Sequence, residues 1–114
     1  MAEWKLTVRH GPDVSRQTFD DLDAALGAAR DAADEVISEG PLDPVSAIRE
    51  YEPSSIVNAR IEITGKGLIR PPTAGIDIQG DLKVVPYAGS VRRQTLEGST
   101  LPQAIKSLKM FLSA

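Results

Sequence analysis

The segment WKLTVRHGPDVSRQTF, residues 4–19, decides the fold. Trp4, Leu6 and Val8 alternate with polar residues, which is the period-two pattern of a strand with one buried face. A Gly-Pro-Asp turn sequence interrupts that pattern, so we expect residues 14–18 to return as an antiparallel strand. The sequence therefore predicts a β-hairpin as the first unit of the domain.

An amphipathic helix is predicted directly after this hairpin. In FDDLDAALGAARDAADEVISEGP the apolar residues recur on one helical stripe, and the acidic residues lie off it. Asp20 is the predicted N-cap, and Gly40 followed by Pro41 ends the helix. The predicted buried stripe consists of Leu22, Ala25, Leu26, Ala29, Ala33 and Val36.

Further strands are predicted in the second half of the chain. SIVNARIEIT alternates apolar and polar residues, and its predicted buried face begins with Val57. AGIDIQGDLKVVPY predicts a hairpin whose loop is residues 79–81, and a slip of one residue stays open as an alternative because Gly80 is in the middle of this loop and not at its end. This register would set Asp77 opposite Lys83, so that opposite charges meet across the two strands.

The chain closes with one more strand and a second amphipathic helix. Residues 91–96 predict the strand, and TLPQAIKSLKMFLSA predicts the helix. Thr100 and Gln103 have the spacing of a capping box. The apolar stripe of this helix is predicted to comprise Leu101, Ala104, Ile105, Leu108 and Phe111.

Together these elements predict a single α+β domain over residues 1–114, in the order ββα-ββββα. We expect an antiparallel sheet of about five to six strands, with the two amphipathic helices packed on one face. Residues 1–40 and 56–114 form the two halves of the domain. The proline-rich residues 41–55 connect them.

Two similar hexapeptides occupy matching positions in the two halves. VSRQTF (14–19) and VRRQTL (91–96) share four of six positions, and each leads into a predicted helix. The match fits a ββα pseudo-repeat, but hairpins that lead into amphipathic helices also resemble one another without duplication. Both interpretations stay open. We expect Arg16, which precedes the acidic start of the helix, to form a local ion pair.

The composition argues against several classes of protein. The net charge of -3 does not suit a domain whose main task is to hold nucleic-acid backbones. The charge is uneven, with five basic and twelve acidic residues up to Ser55 and eight basic and four acidic residues after it. No apolar run reaches membrane-spanning length, the first residues lack the pattern of a secretory signal, and cysteine is absent. We therefore expect a cytoplasmic domain without membrane contact.

No catalytic constellation is evident in the sequence. His10 is the only histidine, and beside a Gly-Pro turn it fits a structural role better than that of a general base. The aspartates at residues 20–23 lack the glycine and the final glutamate of a calcium loop, and residues 65–67 lack the rest of a phosphate loop. We therefore predict a non-enzymatic domain with no cofactor and no metal site.

Lys83, Arg92 and Arg93 form the candidate interaction patch. If the two C-terminal hairpins lie side by side, these cations gather into a small positive surface suited to an acidic protein or to RNA. The alternative is that they are separate, solvated side chains.

Two family resemblances add to this interpretation. YEPSSIVNARIEITGKG, GIDIQGD and PYAGSVRRQ resemble a group of short, uncharacterised bacterial proteins of actinobacterial type, a group without an assigned activity. LEGSTLPQAIKSLKMFL resembles the strand-to-helix segment of HicB-type antitoxins. That second resemblance implies a protein that binds and blocks a small RNase toxin.

The leading functional hypothesis is a domain that acts through protein–protein contacts, either with another protein or as a homodimer that pairs an exposed strand edge. The alternative hypothesis is an antitoxin-like or RNA-contacting module that uses Arg92 and Arg93. An enzyme with a carboxylate-based site is the third and least favoured hypothesis.

Overall fold

The computed structural model describes residues 3–40, 57–65, 71–89 and 93–113. Within them, a six-stranded antiparallel sheet and two helices follow one another in the order ββαββββα. The α+β class, the element order and the strand number are therefore confirmed. The predicted connector, residues 41–55, lies outside the described residues.

The sheet carries its helices on one face and ends in a hairpin on each side. Its elements are β1 (Trp4–His10), β2 (Asp13–Phe19), α1 (Leu22–Ser38), β3 (Val57–Gly65), β4 (Thr73–Gln79), β5 (Val84–Ala88), β6 (Gln94–Thr95) and α2 (Leu101–Leu112). The strand order is β2-β1-β3-β4-β5-β6, so β2 and β6 are the edges. The two helices contact each other, and α1 packs mainly on β1 and β3 while α2 packs on β4 and β5. In the described ranges neither helix is long and apolar enough to cross a membrane.

The core lies between the helices and the sheet face that they cover. Ile61, Ile63, Ile76 and Ile78 are fully buried at its centre. Burial of one such side chain contributes roughly 1.5–3 kcal/mol, so these two central strands hold the layers together. Val57 was predicted to share this buried face, but it is 44% exposed because the pairing of β3 with β4 is irregular at that end.

Helix α1 begins one residue later than predicted. Asp21 rather than Asp20 is the N-cap, and its Oδ1 accepts a hydrogen bond from the Ala24 N–H at 2.7 Å. At the other end, Gly40 has φ 89° and directly follows the C-cap residue Glu39. This left-handed conformation is the usual reason for a glycine after a helix. The predicted stripe is buried, except that Leu22 in the first turn is only half-buried.

Helix α2 has the predicted start and a different buried end. The Thr100 hydroxyl oxygen accepts a hydrogen bond from the Gln103 N–H at 3.4 Å, which confirms the N-cap. Phe111 was predicted to be buried, but it is 41% exposed, and Leu112 is buried instead. The reason is geometric, because Leu112 lies about one full turn beyond the buried Leu108.

The β4–β5 hairpin turns one residue later than predicted. The Gln79 N–H donates to the Lys83 carbonyl oxygen at 2.9 Å, and Leu82 in the loop adopts φ 70°. Asp77 therefore lies opposite Val85 and not opposite Lys83. The first register is therefore wrong by two residues in the pairing, and the structure has the one-residue slip of the loop that the sequence left open. Such a shift keeps every side chain on its expected face, so the alternation pattern cannot distinguish the two registers.

The two similar hexapeptides lie at opposite edges of the sheet. Residues 14–19 fall within β2, whereas only Gln94–Thr95 of the second copy forms a strand. Residues 90–92 lie outside the described part of the chain. Each edge strand pairs with the other strand of its hairpin and precedes a helix, so a ββα arrangement occurs at both ends of the sheet. An internal duplication stays a prediction.

Candidate functional site

The sheet face opposite the helices, called the helix-free face below, is polar and carries an excess of positive charge. Alternation along the strands places its charged side chains on this face. Among the described residues they are Lys5, Arg9, Arg16, Arg60 and Arg93, with Glu62 and Asp77. The exposed side of α1 has the opposite character, since Asp23, Asp31, Asp34 and Glu35 accompany a single cation, Arg30. The helix-free face is thus basic, and the exposed side of α1 is acidic.

Tyr87 is buried on the helix-free face because Gly75 leaves room for its ring. Gly75 lies opposite Tyr87 on one side and opposite Glu62 on the other. A Cβ at Gly75 would lie 2.7 Å from the Tyr87 hydroxyl oxygen, so only glycine permits the ring to cross β4. The hydroxyl then donates a hydrogen bond to Glu62 Oε2 at 2.5 Å. Burial and this hydrogen bond raise the pKa of Tyr87 above its ordinary value.

Arg60 and Asp77 form a bidentate ion pair beside this tyrosine. Arg60 Nε lies 2.7 Å from Asp77 Oδ1, and a second guanidinium nitrogen lies 3.0 Å from Oδ2. The hydrogen bond with Asp77 raises the pKa of Arg60. The guanidinium carbons of Arg60 and Arg93 lie 5.6 Å and 5.4 Å from the centre of the Tyr87 ring. Glu62 and Asp77, the carboxylates of the described strands on the helix-free face, are therefore both engaged by neighbouring side chains.

Three cations near the β2 edge have no such partner. Arg16 lies opposite Thr7, whose neighbours on the same face of β1 are Lys5 and Arg9. Diagonal neighbours in a sheet are about 7–8 Å apart, so the three charges form one cluster. All three side chains are exposed, and none forms an ion pair with a described carboxylate. They line a concavity of about 190 Å³, and the rest of its lining consists of Thr7, Arg60, Glu62 and Thr64.

Strand β2 presents a free backbone edge. The Gly65 N–H donates to the Pro72 carbonyl oxygen, so Gly65 directs its backbone groups toward β4. Successive residues of a strand direct these groups to alternate sides, and the antiparallel registers extend this alternation from β3 through β1 to β2. Val14, Arg16 and Thr18 therefore direct their backbone N–H and C=O groups away from β1. Six of the seven side chains of β2 are exposed and none is proline. An edge of this kind is a template for pairing with another strand.

A groove lies between this edge and α1, on the helix side of the sheet. It has a volume of about 940 Å³ and is called the edge groove below. Its floor is apolar and includes Leu6, Val8 and Ala32, whereas Asp31 and Glu35 form its rim on the helix. Ser15, in the middle of β2, is short and leaves the groove open toward the edge, and Gln17 forms part of the lining beside it. A strand added to β2 would thus have a charged face on one side and, on the other, a groove with an apolar floor and an acidic rim.

The described residues of the predicted patch lie at opposite ends of β5. Lys83 directly precedes β5, and its backbone N–H donates to Asp81 Oδ1 at 3.0 Å. Arg93 lies beyond the opposite end of β5 and contacts Tyr87. Lys83 and Arg93 are therefore not adjacent, and Arg92 lies outside the described residues.

The expected local ion pair of Arg16 is absent from the described part of the chain. This prediction is wrong because Arg16 lies on the helix-free face, whereas α1 begins on the other side of the sheet. His10 closes the first hairpin opposite Asp13, and its Nδ1 lies 3.7 Å from Glu39 Oε2. Over the described ranges, no three His, Asp or Glu side chains are grouped so that they could hold a metal ion.

Sequence reasoning missed both the cation cluster and the Tyr87 arrangement. A signal for the first was present, because Lys5 and Arg9 are the polar positions of a strand whose alternation was recognised. Their proximity to Arg16 follows from the hairpin register. The Tyr87 arrangement left no local signal, since it depends on Gly75 and Glu62 from two other strands.

Comparisons with known proteins identify no relative. No family model matches the chain, and neither a curated protein nor a solved structure matches it significantly. The surfaces of the domain itself are therefore what indicates its function.

Proposed function

We propose that this domain is a non-enzymatic, cytoplasmic protein-binding module that takes up an extended segment of a partner along β2. The free edge of β2 carries the proposal, because it combines unpaired backbone groups with exposed side chains and an adjoining groove. Strand addition of this kind draws affinity from main-chain hydrogen bonds and specificity from neighbouring pockets. The absence of cysteine from the whole chain agrees with a reducing compartment.

The titratable side chains of the helix-free face support a binding role. Tyr87 and Glu62 are engaged with each other, and so are Arg60 and Asp77, which suits groups that hold the sheet together. The cluster of Lys5, Arg9 and Arg16 has no equivalent internal role among the described residues. Its charges are available to a ligand.

A second copy of the chain is one partner that the β2 edge can take. In a two-fold pairing that uses all of β2, Arg16 is the middle residue and would lie opposite Arg16 of the other copy. Like charges directly opposite each other destabilise a sheet, so we expect a homodimer to shift its register and set Arg16 opposite Thr18. A partner without a cation at that position can pair with the full length of β2.

Selection from a random octapeptide library tests the proposal without assuming the partner. We expect selected peptides to slow the hydrogen exchange of the Val14, Arg16 and Thr18 amides, because these N–H groups would pair with the peptide. Thr18→Pro removes one outward N–H and should weaken binding about tenfold. Thr18→Val keeps that N–H and is the matched control.

Peptides that protect other amides, or equal binding by the two Thr18 variants, would contradict strand addition. Light scattering at micromolar concentration addresses self-pairing. A dimer that Thr18→Pro removes and Thr18→Val retains would identify the second copy as the occupant. A monomer in all three proteins would exclude the homodimer.

RNA contact is a second candidate function, and the unpaired cluster of Lys5, Arg9 and Arg16 favours it. Phosphate groups neutralise such cations, and the affinity then falls steeply with salt. The RNA hypothesis ranks second because Tyr87 is buried and cannot stack on a base. Uridine octanucleotide binding should lose part of its salt dependence in Arg16→Ala. The double substitution of Arg92 and Arg93 tests the predicted patch in the same assay, and no salt-sensitive binding would exclude both versions.

A further inference from the structure

We infer that the segment captured at β2 carries carboxylate side chains at every second position and apolar side chains between them. This inference rests on the proposed function and adds the chemistry of the partner. It follows from the different surfaces that border the two faces of an added strand.

The direction of each side chain of an added strand is set by β2. Ligand residues opposite Val14, Arg16 and Thr18 would point to the helix-free face, because paired residues of an antiparallel sheet lie on the same side. Ligand residues opposite Ser15 and Gln17 would point to the side of the edge groove. Alternate positions of the ligand therefore meet two different environments.

The helix-free face selects for negative charge. Arg16 would be the direct neighbour of the central ligand residue, and Lys5 and Arg9 lie one strand further in. These three cations repel one another, and Glu62, the nearest carboxylate of the face along the row through Thr7, is bound to Tyr87. Ligand carboxylates would offset that repulsion and form charge-assisted hydrogen bonds.

The edge groove selects for apolar side chains and against acids. Its floor includes Leu6 and Val8, and Ser15 is short enough to let a ligand side chain from the next strand reach across. Asp31 and Glu35 on the rim would repel a carboxylate placed on this side. The two faces of the ligand are therefore not interchangeable.

This combination distinguishes the ligand from the two other occupants considered. A second copy in full register brings Arg16 against Arg16, which is the wrong charge. A polynucleotide can neutralise the cations, but it leaves the apolar floor of the edge groove uncovered. An alternating acidic and apolar strand satisfies both surfaces.

Fluorescence anisotropy with defined octapeptides tests the inference. A peptide that alternates glutamate and valine should bind the 114-residue chain about tenfold more tightly than one that alternates lysine and valine. It should also bind more tightly than a peptide of four glutamates followed by four valines, because only alternation separates the two faces. Raising the salt concentration from about 50 mM to about 500 mM should weaken the preferred peptide, since the cation cluster is exposed.

Charge reversal at Arg16 is the more discriminating test of the inference. In Arg16→Glu we expect the alternating lysine peptide to bind more tightly than the alternating glutamate peptide. Lys5→Glu is a second variant, for use if the first fails to fold, and it should shift the relative affinity of the two peptides in the same direction. Arg30→Glu makes the same charge change on the exposed side of α1 and should leave the order unchanged.

Equal binding of all three peptides would overturn the inference, and so would a preference that Arg16→Glu does not change. Tighter binding of a uridine octanucleotide, with the same dependence on Arg16, would overturn it in favour of RNA. Failure of the inference and failure of the proposed function are distinguishable. Library peptides that protect the β2 amides but lack alternating acids would retain strand addition and reject this ligand chemistry.

Discussion

The two edges of the sheet carry nearly the same hexapeptide and differ in what its arginine contacts. At β2, Arg16 lies in a cluster with Lys5 and Arg9 and forms no ion pair with a described residue. At the β6 edge, Arg93 stacks on the ring of Tyr87 at 5.4 Å. The same residue type thus stabilises the sheet at one edge and is available to a ligand at the other.

The difference originates in the neighbouring strand. The position opposite the threonine of the hexapeptide is Lys5 at the first edge and Tyr87 at the second. Tyr87 can receive an arginine because Gly75 lets its ring lie across the sheet, and Lys5 can only repel one. A short motif thus determines which secondary-structure element forms, whereas the strands beside it determine what the arginine of the motif contacts.

The largest expected effect is the loss of the space that Gly75 provides. In Gly75→Ala the new Cβ would lie 2.5 Å from the Ile61 carbonyl oxygen and 2.8 Å from the Tyr87 ring, so β4 or the ring must move. We expect a loss of about 3 kcal/mol in the free energy of unfolding, measured with urea.

Gly27→Ala is the matched control for this change. Gly27 lies within α1, and an added Cβ meets nothing within 4 Å. The substitution should raise the free energy of unfolding by about 1 kcal/mol, because alanine favours a helix. If Gly75→Ala left the free energy of unfolding unchanged, the space at Gly75 would not be what allows Tyr87 to distinguish the β6 edge from the β2 edge.

A smaller effect is expected from Tyr87→Phe, which removes the hydroxyl that donates to Glu62. The loss should be about 1–2 kcal/mol at neutral pH, because Glu62 is left without this partner. Glu62→Gln keeps an acceptor in place and should cost less. An equal loss in both variants would mean that the charge, and not the hydrogen bond, holds the ring.

The raised pKa of Tyr87 also predicts a dependence on pH. Below about pH 10, the ordinary tyrosine pKa, the side chain is neutral in both states and its contribution is fully present. Above it the unfolded chain ionises first, so the free energy of unfolding falls as pH rises toward the folded pKa. The difference between the wild type and Tyr87→Phe should therefore shrink in urea titrations at increasing alkaline pH. A constant difference would contradict the burial of the hydroxyl.

The smallest effects compare the two arginines directly. Arg93→Ala should cost about 0.5–1 kcal/mol through the lost stacking on Tyr87. Arg16→Ala should change stability by less than about 0.5 kcal/mol, or raise it slightly, because it relieves repulsion within the cluster. Urea unfolding of both variants measures the contrast. Equal losses would show that the two edges are energetically alike.

Much of the fold follows from local pattern, and most of the site does not. The stripe from Ala25 to Val36 and the alternation of β1 each report a buried face through a fixed period. The β4–β5 register could not be predicted from this pattern, because a two-residue shift leaves every side chain on the same face of the sheet. The cation cluster does not follow from local pattern, because Lys5 and Arg9 become neighbours of Arg16 only through the register of the β1–β2 hairpin.

The separation of charge between α1 and the helix-free face has a consequence for how the domain meets a charged surface. An excess of cations on the helix-free face and an excess of acids on α1 set opposite charges on two different surfaces of the domain, while α2 carries Lys106 and Lys109. The helix-free face should therefore turn toward a polyanion, and the exposed side of α1 toward a polycation, despite a net charge of -3. Adhesion is then governed by orientation, and both cation- and anion-exchange matrices should retain the protein at low ionic strength.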